Sequence, residues 1–332
     1  MKVAVLGGGA WGGVLAALAS WRGHDVALWE SDPAAAAALA RERRNERSVR
    51  GFRLPEAIAV SAALAASVTG REMLVVAIPS HVVGATLRAV APVVGAGTTI
   101  VCASKGLEPE SGATMADTIA AAVPQAHAVV LSGPTFAQEI ADGFPAALVA
   151  AARETAAVER VKAALGGERL RIYTSDDVVG VCIGGALKNV VAIAAGCCDG
   201  FGLGASARAA LITRGLAEMG RLAESMGGRA ITMAGLAGLG DLVLTSTGDL
   251  SRNRQVGMGL ARGETVDDIV ARLGHVAEGV GTARTARALA ARLGVDMPIT
   301  GEVAAVLFDG KPARAALTDL LARDVGAERR GS

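Results

Sequence analysis

Aromatic side chains are scarce in this chain of 332 residues: Trp 3, Tyr 1 and Phe 5 amount to 3% of it, while glycine alone numbers 43. A surplus of small residues suits close packing between helices. An excess of charge is missing as well. Lys+Arg 33 against Asp+Glu 32 leaves a formal net charge of +1, so no overall field draws the chain to nucleic acid or to an anionic membrane. A local cluster can still take a small anion. The cysteines, Cys102, Cys182, Cys197 and Cys198, show neither Cys-x-x-Cys spacing nor a secreted disulfide framework, and the four histidines stand singly. These absences point to a cytoplasmic protein without a metal. The apolar run from 178 to 196 carries Lys188 at its middle and too many glycines to suit a bilayer, so no stable membrane insertion is expected. Lys2 before an apolar run and Ala17-Leu18-Ala19 imitate a signal peptide. Three consecutive glycines break that run, and the same residues read as strand, turn and helix. No long repeat, low-complexity linker or charge block interrupts the chain.

What is present begins at residue 3. An apolar run leads into Gly7-x-Gly9-x-x-Gly12, with Ala10 and Trp11 inside the spacing. Gly7 allows a tight turn, Gly9 lets backbone approach a pyrophosphate, and Gly12 lets the next helix pack on the strand. The pattern is weak alone, but its context agrees. A helix over 11–21 and a strand over 24–29 follow, and Glu30 lies 18 residues beyond Gly12, where an acid accepts hydrogen bonds from the adenosine ribose of NAD. Arg41, Arg43 and Arg44 offer cations to the 2′-phosphate of NADP, although a solvated helix end accounts for them better. Further strand-like runs at 73–78, 98–103, 128–131 and 147–151 alternate with helical or turn segments, which predicts a doubly wound, mainly parallel sheet. From 176 onward helical periodicity takes over, with helices expected over 178–196, 205–226, 256–262, 265–273, 282–293 and 298–308. The reading is therefore a domain over 1–175, an all-α domain over 176–325 and a flexible tail over 326–332.

Three stretches in or near the second half can carry chemistry. Lys188 sits in an apolar helix with Gly184, Gly185, Val191 and Ala192 three and four residues away, which leaves room for a ligand beside it. Burial would lower its pKa toward proton transfer; a lysine reaching a helix edge or closing an ion pair explains the pattern equally well. Asp241, in a glycine-rich apolar segment, must cap a helix or find a cation, and a helix N-cap is the commoner outcome. Ser251-Arg252-Asn253-Arg254 gathers hydroxyl, guanidinium and amide donors at a helix start, which suits a phosphate, though such a cluster is more often a solvated turn. Lys105 at a strand end can bind an anion or cover a loop. His81 and the adjacent Cys197 and Cys198 read as structural.

Together with Ser104-Lys105-Gly106-Leu107, Ser132-Gly133-Pro134-Thr135-Phe136-Ala137, Thr213-Arg214-Gly215-Leu216 and Val276-Ala277-Glu278-Gly279, these blocks resemble the bacterial NAD(P)-dependent glycerol-3-phosphate dehydrogenases over essentially the whole chain. The resemblance implies an α/β fold, an N-terminal Rossmann-type sheet followed by an all-α C-terminal domain. It also implies reduction of dihydroxyacetone phosphate to sn-glycerol 3-phosphate for phospholipid synthesis, and a homodimer. Under it, Lys188 matches the catalytic lysine, with Lys105 and Asp241 beside it. Gly133, Thr135, Ser251, Arg252 and Asn253 match substrate positions, and Trp11, Ala137, Arg252, Val276 and Glu278 match cofactor contacts, with Lys105 also on the cofactor side. Ala10 replaces a frequent serine, and Ser31 stands where many relatives carry His or Arg. With Glu30 beside it, Ser31 favours NAD over NADP. The rival readings are another β-hydroxyacid-type dehydrogenase and a non-catalytic dinucleotide sensor. The phosphate-binding cluster opposes the first, and the joint presence of Lys188, Lys105 and Asp241 opposes the second.

Overall fold

Burial alternates between two faces along the first strand: Val3 and Val5 join one apolar cluster, Ala4 and Leu6 another. A strand buried on both faces needs helices on both sides, which crossovers between parallel neighbours supply. The structure, a computed structural model, describes residues 1–46, 48–274 and 277–323. Its strands are β1 (Lys2–Leu6), β2 (Asp25–Trp29), β3 (Ala59–Ser61), β4 (Met73–Val76), β5 (Thr99–Cys102), β6 (His127–Ser132), β7 (Ala146–Ala151) and β8 (Leu170–Ser175). They form one sheet in the order β3-β2-β1-β4-β5-β6-β7-β8, with only the β6–β7 pair antiparallel. The expected doubly wound, mainly parallel sheet is present. β3 and β8 fall outside the expected strands. Three residues are too few for a periodic signal, and β8 at the sheet edge buries only Leu170 and Ile172 and exposes Arg171, Tyr173 and Thr174.

Val14, Leu15 and Ala19 of the Ala10–Trp21 helix and Val158, Val161 and Leu165 of the Thr155–Leu165 helix cover one face. The Ser80–Val90 and Met115–Ala122 helices cover the other through Val83, Leu87, Met115 and Ile119. Beyond β8 the described elements are helical. Val178–Gly200 runs through the middle of this half and packs on Gly204–Ser225, Asp241–Thr247, Arg252–Ala261 and Glu278–Leu293. Asp177 caps it, Oδ1 accepting from the Gly180 N–H at 2.8 Å. Its apolar length goes with a buried position, 83% of its most apolar window lying inside the structure.

Two helices lie outside the expected set, Asp241–Thr247 and Ala313–Leu321, and two begin a turn earlier than expected, Arg252–Ala261 and Glu278–Leu293. Asp241–Thr247 is short, rich in β-branched residues and preceded by a π-turn over Leu236–Gly240, so it has little periodicity of its own. The tail over 326–332 and Val276 lie outside the described residues.

Candidate active site

In a doubly wound sheet, ligands lie beyond the carboxyl ends of the strands where connections diverge, here between β1 and β4. Gly7 turns there at φ +117°, and a Cβ on it would stand 2.6 Å from the Ala77 carbonyl oxygen. One on Gly12 would stand 1.9 Å from the Gly7 oxygen, so the helix starts tight against the turn. Gly9, in contrast, faces open space. Ala10 and Trp11 begin the helix, half-buried, and the helix N-terminus favours an anion at that opening. Ala137 opens the short Ala137–Ala141 helix packed on this one.

Glu30, just after β2, is held by three donors: the Gly8 N–H at 3.1 Å, and the Ser31 hydroxyl and Asp32 N–H, both at 3.2 Å. The nearby arginines are engaged. Arg41 pairs with Glu42, Arg43 with Glu56 and the Ile58 carbonyl, and Arg44 with Glu46. This agrees with a solvated helix end. Asn45, which the sequence did not single out, donates to the Gly8 carbonyl at 3.3 Å. These features fit a dinucleotide: an open glycine turn, a helix start for its phosphates and a fixed carboxylate at the end of β2.

On the far side of β5 and β6 the two lysines meet around one aspartate. Lys188 Nζ donates to Asp241 Oδ1 at 2.7 Å and to the Thr245 hydroxyl at 2.8 Å. Lys105 Nζ donates to Asp241 Oδ2 at 2.5 Å and to the Gly133 carbonyl at 2.9 Å. Asp241 is 0% exposed and Lys188 6%. Asp241 therefore takes the cationic partner and not the N-cap role; it is the first residue of its helix, and its oxygens face the lysines. Thr245 was also missed, although it stands one turn beyond Asp241 on the same face. Each ammonium has a third N–H beyond these bonds. Burial lowers the Lys188 pKa to about 8, with Lys105 adding to the shift and Asp241 opposing it. For Asp241 burial acts upward, but the two lysines outweigh it and hold the carboxyl below its ordinary value. Two cations and one anion leave a buried site with one surplus positive charge, suited to an oxygen that gains negative charge.

The glycines beside Lys188 do not leave ligand space. A Cβ on Gly184 would lie 2.6 Å from the Ala237 carbonyl oxygen and one on Gly185 2.8 Å from Ser132 Oγ. They let protein elements close on the helix instead, and that closure is what brings Asp241 and β6 to the lysines.

Around this core, Gly133 turns at φ +133° and Thr135 lies half-buried, its hydroxyl 3.5 Å from the Gly133 carbonyl. Ser251 caps the Arg252–Ala261 helix through the Arg254 N–H at 3.2 Å. Arg254 is tied to Asp199 and Asp249. Arg252 is exposed and has no hydrogen-bond partner among the described residues. Asn253 is 8% exposed; its amide donates to Asn189 Oδ1 at 2.8 Å and accepts from the Gly279 N–H at 3.0 Å. Asn189 in turn donates to the Lys105 carbonyl at 3.2 Å. The Ser251–Arg254 cluster is thus split: Asn253 and Arg254 knit the protein, and Arg252 faces outward. Glu278, on the next helix, accepts from the Ser80 N–H at 3.0 Å and hydroxyl at 2.6 Å.

A glycine-turn sheet and a Lys–Asp–Lys cluster shared between that sheet and a helical half define a dinucleotide-dependent dehydrogenase of the two-domain kind. Models of the N-terminus and of the C-terminus of NAD-dependent glycerol-3-phosphate dehydrogenase match residues 2–158 and 177–318. The chain belongs to that family. It is 49% identical to glycerol-3-phosphate dehydrogenase [NAD(P)+] of Anaeromyxobacter dehalogenans, covering 99% of this chain and 100% of that protein. Identity is 50% to the protein of the same description from Thiobacillus denitrificans, at the same coverage. The crystal structure of glycerol-3-phosphate dehydrogenase from Coxiella burnetii superposes with a TM-score of 0.94 at 35% identity, covering 97% of this chain and 99% of that one.

Proposed function

We propose that the chain reduces dihydroxyacetone phosphate to sn-glycerol 3-phosphate with NADH or NADPH, reversibly, with Lys188 as the proton donor. The observation that carries this reading is the pair of ammonium groups, Lys188 buried and Lys105 partly buried, that share the buried Asp241 beside a sheet that fits a dinucleotide. Residues 1–175 act as the dinucleotide domain and 176–325 as the substrate domain. Gly7, Gly9, Ala10, Trp11 and Gly12 hold the dinucleotide phosphates and Glu30 and Ser31 the adenosine ribose, with Ala137 and Glu278 as further contacts; Val276, matched to a cofactor contact by the resemblance, lies outside the described residues. Bound there, the nicotinamide ring supplies the hydride.

The protein's own residues handle the oxygen. Lys188 donates its third N–H to the carbonyl oxygen and releases the proton as negative charge develops, which neutralises the alkoxide. Asp241 and Thr245 fix the direction of that N–H, and Lys105 adds positive charge on the same side. Gly133, Thr135, Ser251, Arg252 and Asn253 line the substrate side. Arg252, the uncommitted guanidinium, takes the phosphate and also reaches toward the dinucleotide, so remote binding energy orients the carbonyl. The enzyme works in the cytoplasm as a homodimer and feeds phospholipid synthesis. The test is oxidation of NADH or NADPH upon addition of dihydroxyacetone phosphate, before and after Lys188→Ala. Ketone-dependent oxidation lost in the variant supports the assignment; none with the unmodified protein ends it.

A further inference from the structure

Glu278 and Ser80 are 198 residues apart in sequence, yet both carboxylate oxygens of Glu278 accept from Ser80, one from the backbone N–H and one from the hydroxyl. Ser80 begins the Ser80–Val90 helix, a few residues past β4 and so on the β4 side of the crevice; Glu278 begins a helix of the other domain. Gly106, next to Lys105, closes against the pair: a Cβ there would stand 2.3 Å from Ser80 Oγ and 3.3 Å from Glu278 Oε2. The start of the Glu278 helix is fixed a second time, by the Asn253 side chain on the Gly279 N–H, and through Asn189 that bond leads to the Lys105 carbonyl. From the sequence Ser80 stands in Pro79-Ser80-His81, at a strand end where a ligand site would lie, but has no role of its own.

We infer that Ser80 is a positioning residue for the dinucleotide: it fixes the Glu278 carboxylate across the domain junction, at the end of the crevice where the lysines stand. This rests on the reading of the crevice as a dinucleotide site. A carboxylate with one bond to each oxygen still offers lone pairs to donors on a ligand, but its orientation is set beforehand, so binding does not have to order it. The hydroxyl contributes one of the two bonds and can be removed without touching the backbone N–H.

Titration calorimetry with NADH, without substrate, tests this on the full chain. Ser80→Ala raises the Kd for NADH about tenfold, the weight of one hydrogen bond to a charged acceptor. The KM for NADH rises in parallel, the KM for dihydroxyacetone phosphate moves far less, and Ser80→Thr restores tight binding. In a Glu278→Ala background the Ser80→Ala change adds less than twofold, because the serine acts through that carboxylate. An unchanged Kd in Ser80→Ala overturns the inference. So does a Ser80→Ala protein whose melting temperature and Kd deteriorate together without rescue by threonine, since that describes a plain tie between domains. Because the titration needs no ketone, its outcome stands apart from whether dihydroxyacetone phosphate is the substrate.

Discussion

The proton-transfer role proposed for Lys188 suits its surroundings: desolvation brings its pKa to about 8, near working pH, while Asp241 keeps it from falling further. The sign of the pH dependence follows. Reduction needs the ammonium form, so its kcat/KM falls as pH rises through about 8; oxidation needs the free amine and rises over the same interval. Rate profiles in both directions check this, and two limbs of the same sign would refute the role. Asp241 faces two cations in a dry site, so removing its charge leaves like charges buried together. Asp241→Ala is expected to cost about 3–5 kcal/mol of stability, read from denaturant unfolding. Glu30 is the third residue with a separable effect. Its carboxylate favours a free 2′-hydroxyl over a 2′-phosphate, so turnover with NADH matches or exceeds that with NADPH, and Glu30→Ala lowers the NADH-to-NADPH preference about tenfold. Activity confined to NADPH in the unmodified protein would contradict this.

Two contacts between elements hold the helical half together. The Val178–Gly200 and Arg252–Ala261 helices cross at their glycines: a Cβ on Gly257 would stand 1.9 Å from the Ile193 carbonyl oxygen, and one on Gly196 2.0 Å from the Arg254 oxygen. Gly257→Ala must push these helices apart at backbone level. A loss of about 1–3 kcal/mol or more is expected, together with weaker substrate binding as Asn253 shifts. The second contact is at Glu218, on the Gly204–Ser225 helix, which accepts from the Ile299 N–H, the Thr300 N–H and the Thr300 hydroxyl at the start of the Pro298–Phe308 helix. Burial raises its pKa from 4.5 to about 7 against those hydrogen bonds. The folded state therefore binds the proton more tightly than the unfolded chain, and this stabilisation is full below about 4.5 and lost as pH rises through about 7. Glu218→Gln removes that slope, so the drop in melting temperature from pH 5 to pH 8 is smaller in the variant than in the parent.

At the scale of the whole molecule, the groups of the candidate site come from both halves: Lys105 and Gly133 from strand ends of the sheet, Lys188, Asp241 and Thr245 from helices. Neither half can assemble the cluster alone. The homodimer proposed for it predicts a species near twice the 33.2 kDa chain mass in sedimentation at micromolar concentration. A single 33.2 kDa species there would exclude the homodimer.

The sequence by itself determined the class of the sheet, the glycine turn and which two lysines to look for, because periodicity, turn chemistry and short motifs are local and survive without a partner. Glu30 was legible for the same reason, as a carboxylate at a fixed distance from Gly12. What only the tertiary structure decided is who meets whom. Its own segment left Asp241 between a helix cap, the commoner outcome, and a cation's partner, and only the resemblance set it beside Lys188; the π-turn and the Gly184 contact are what carry it to two lysines. Asn253, matched to a substrate position by the resemblance, also holds Asn189 and the Gly279 N–H, a tie with no sign in the sequence. Ser80 and Glu278 had no signal joining them, since a hydrogen bond across 198 residues leaves no period in the chain. Burial, and with it the lowered pKa of Lys188, also had to wait for the fold, because desolvation depends on every neighbour that excludes water and not on the residue that bears the charge.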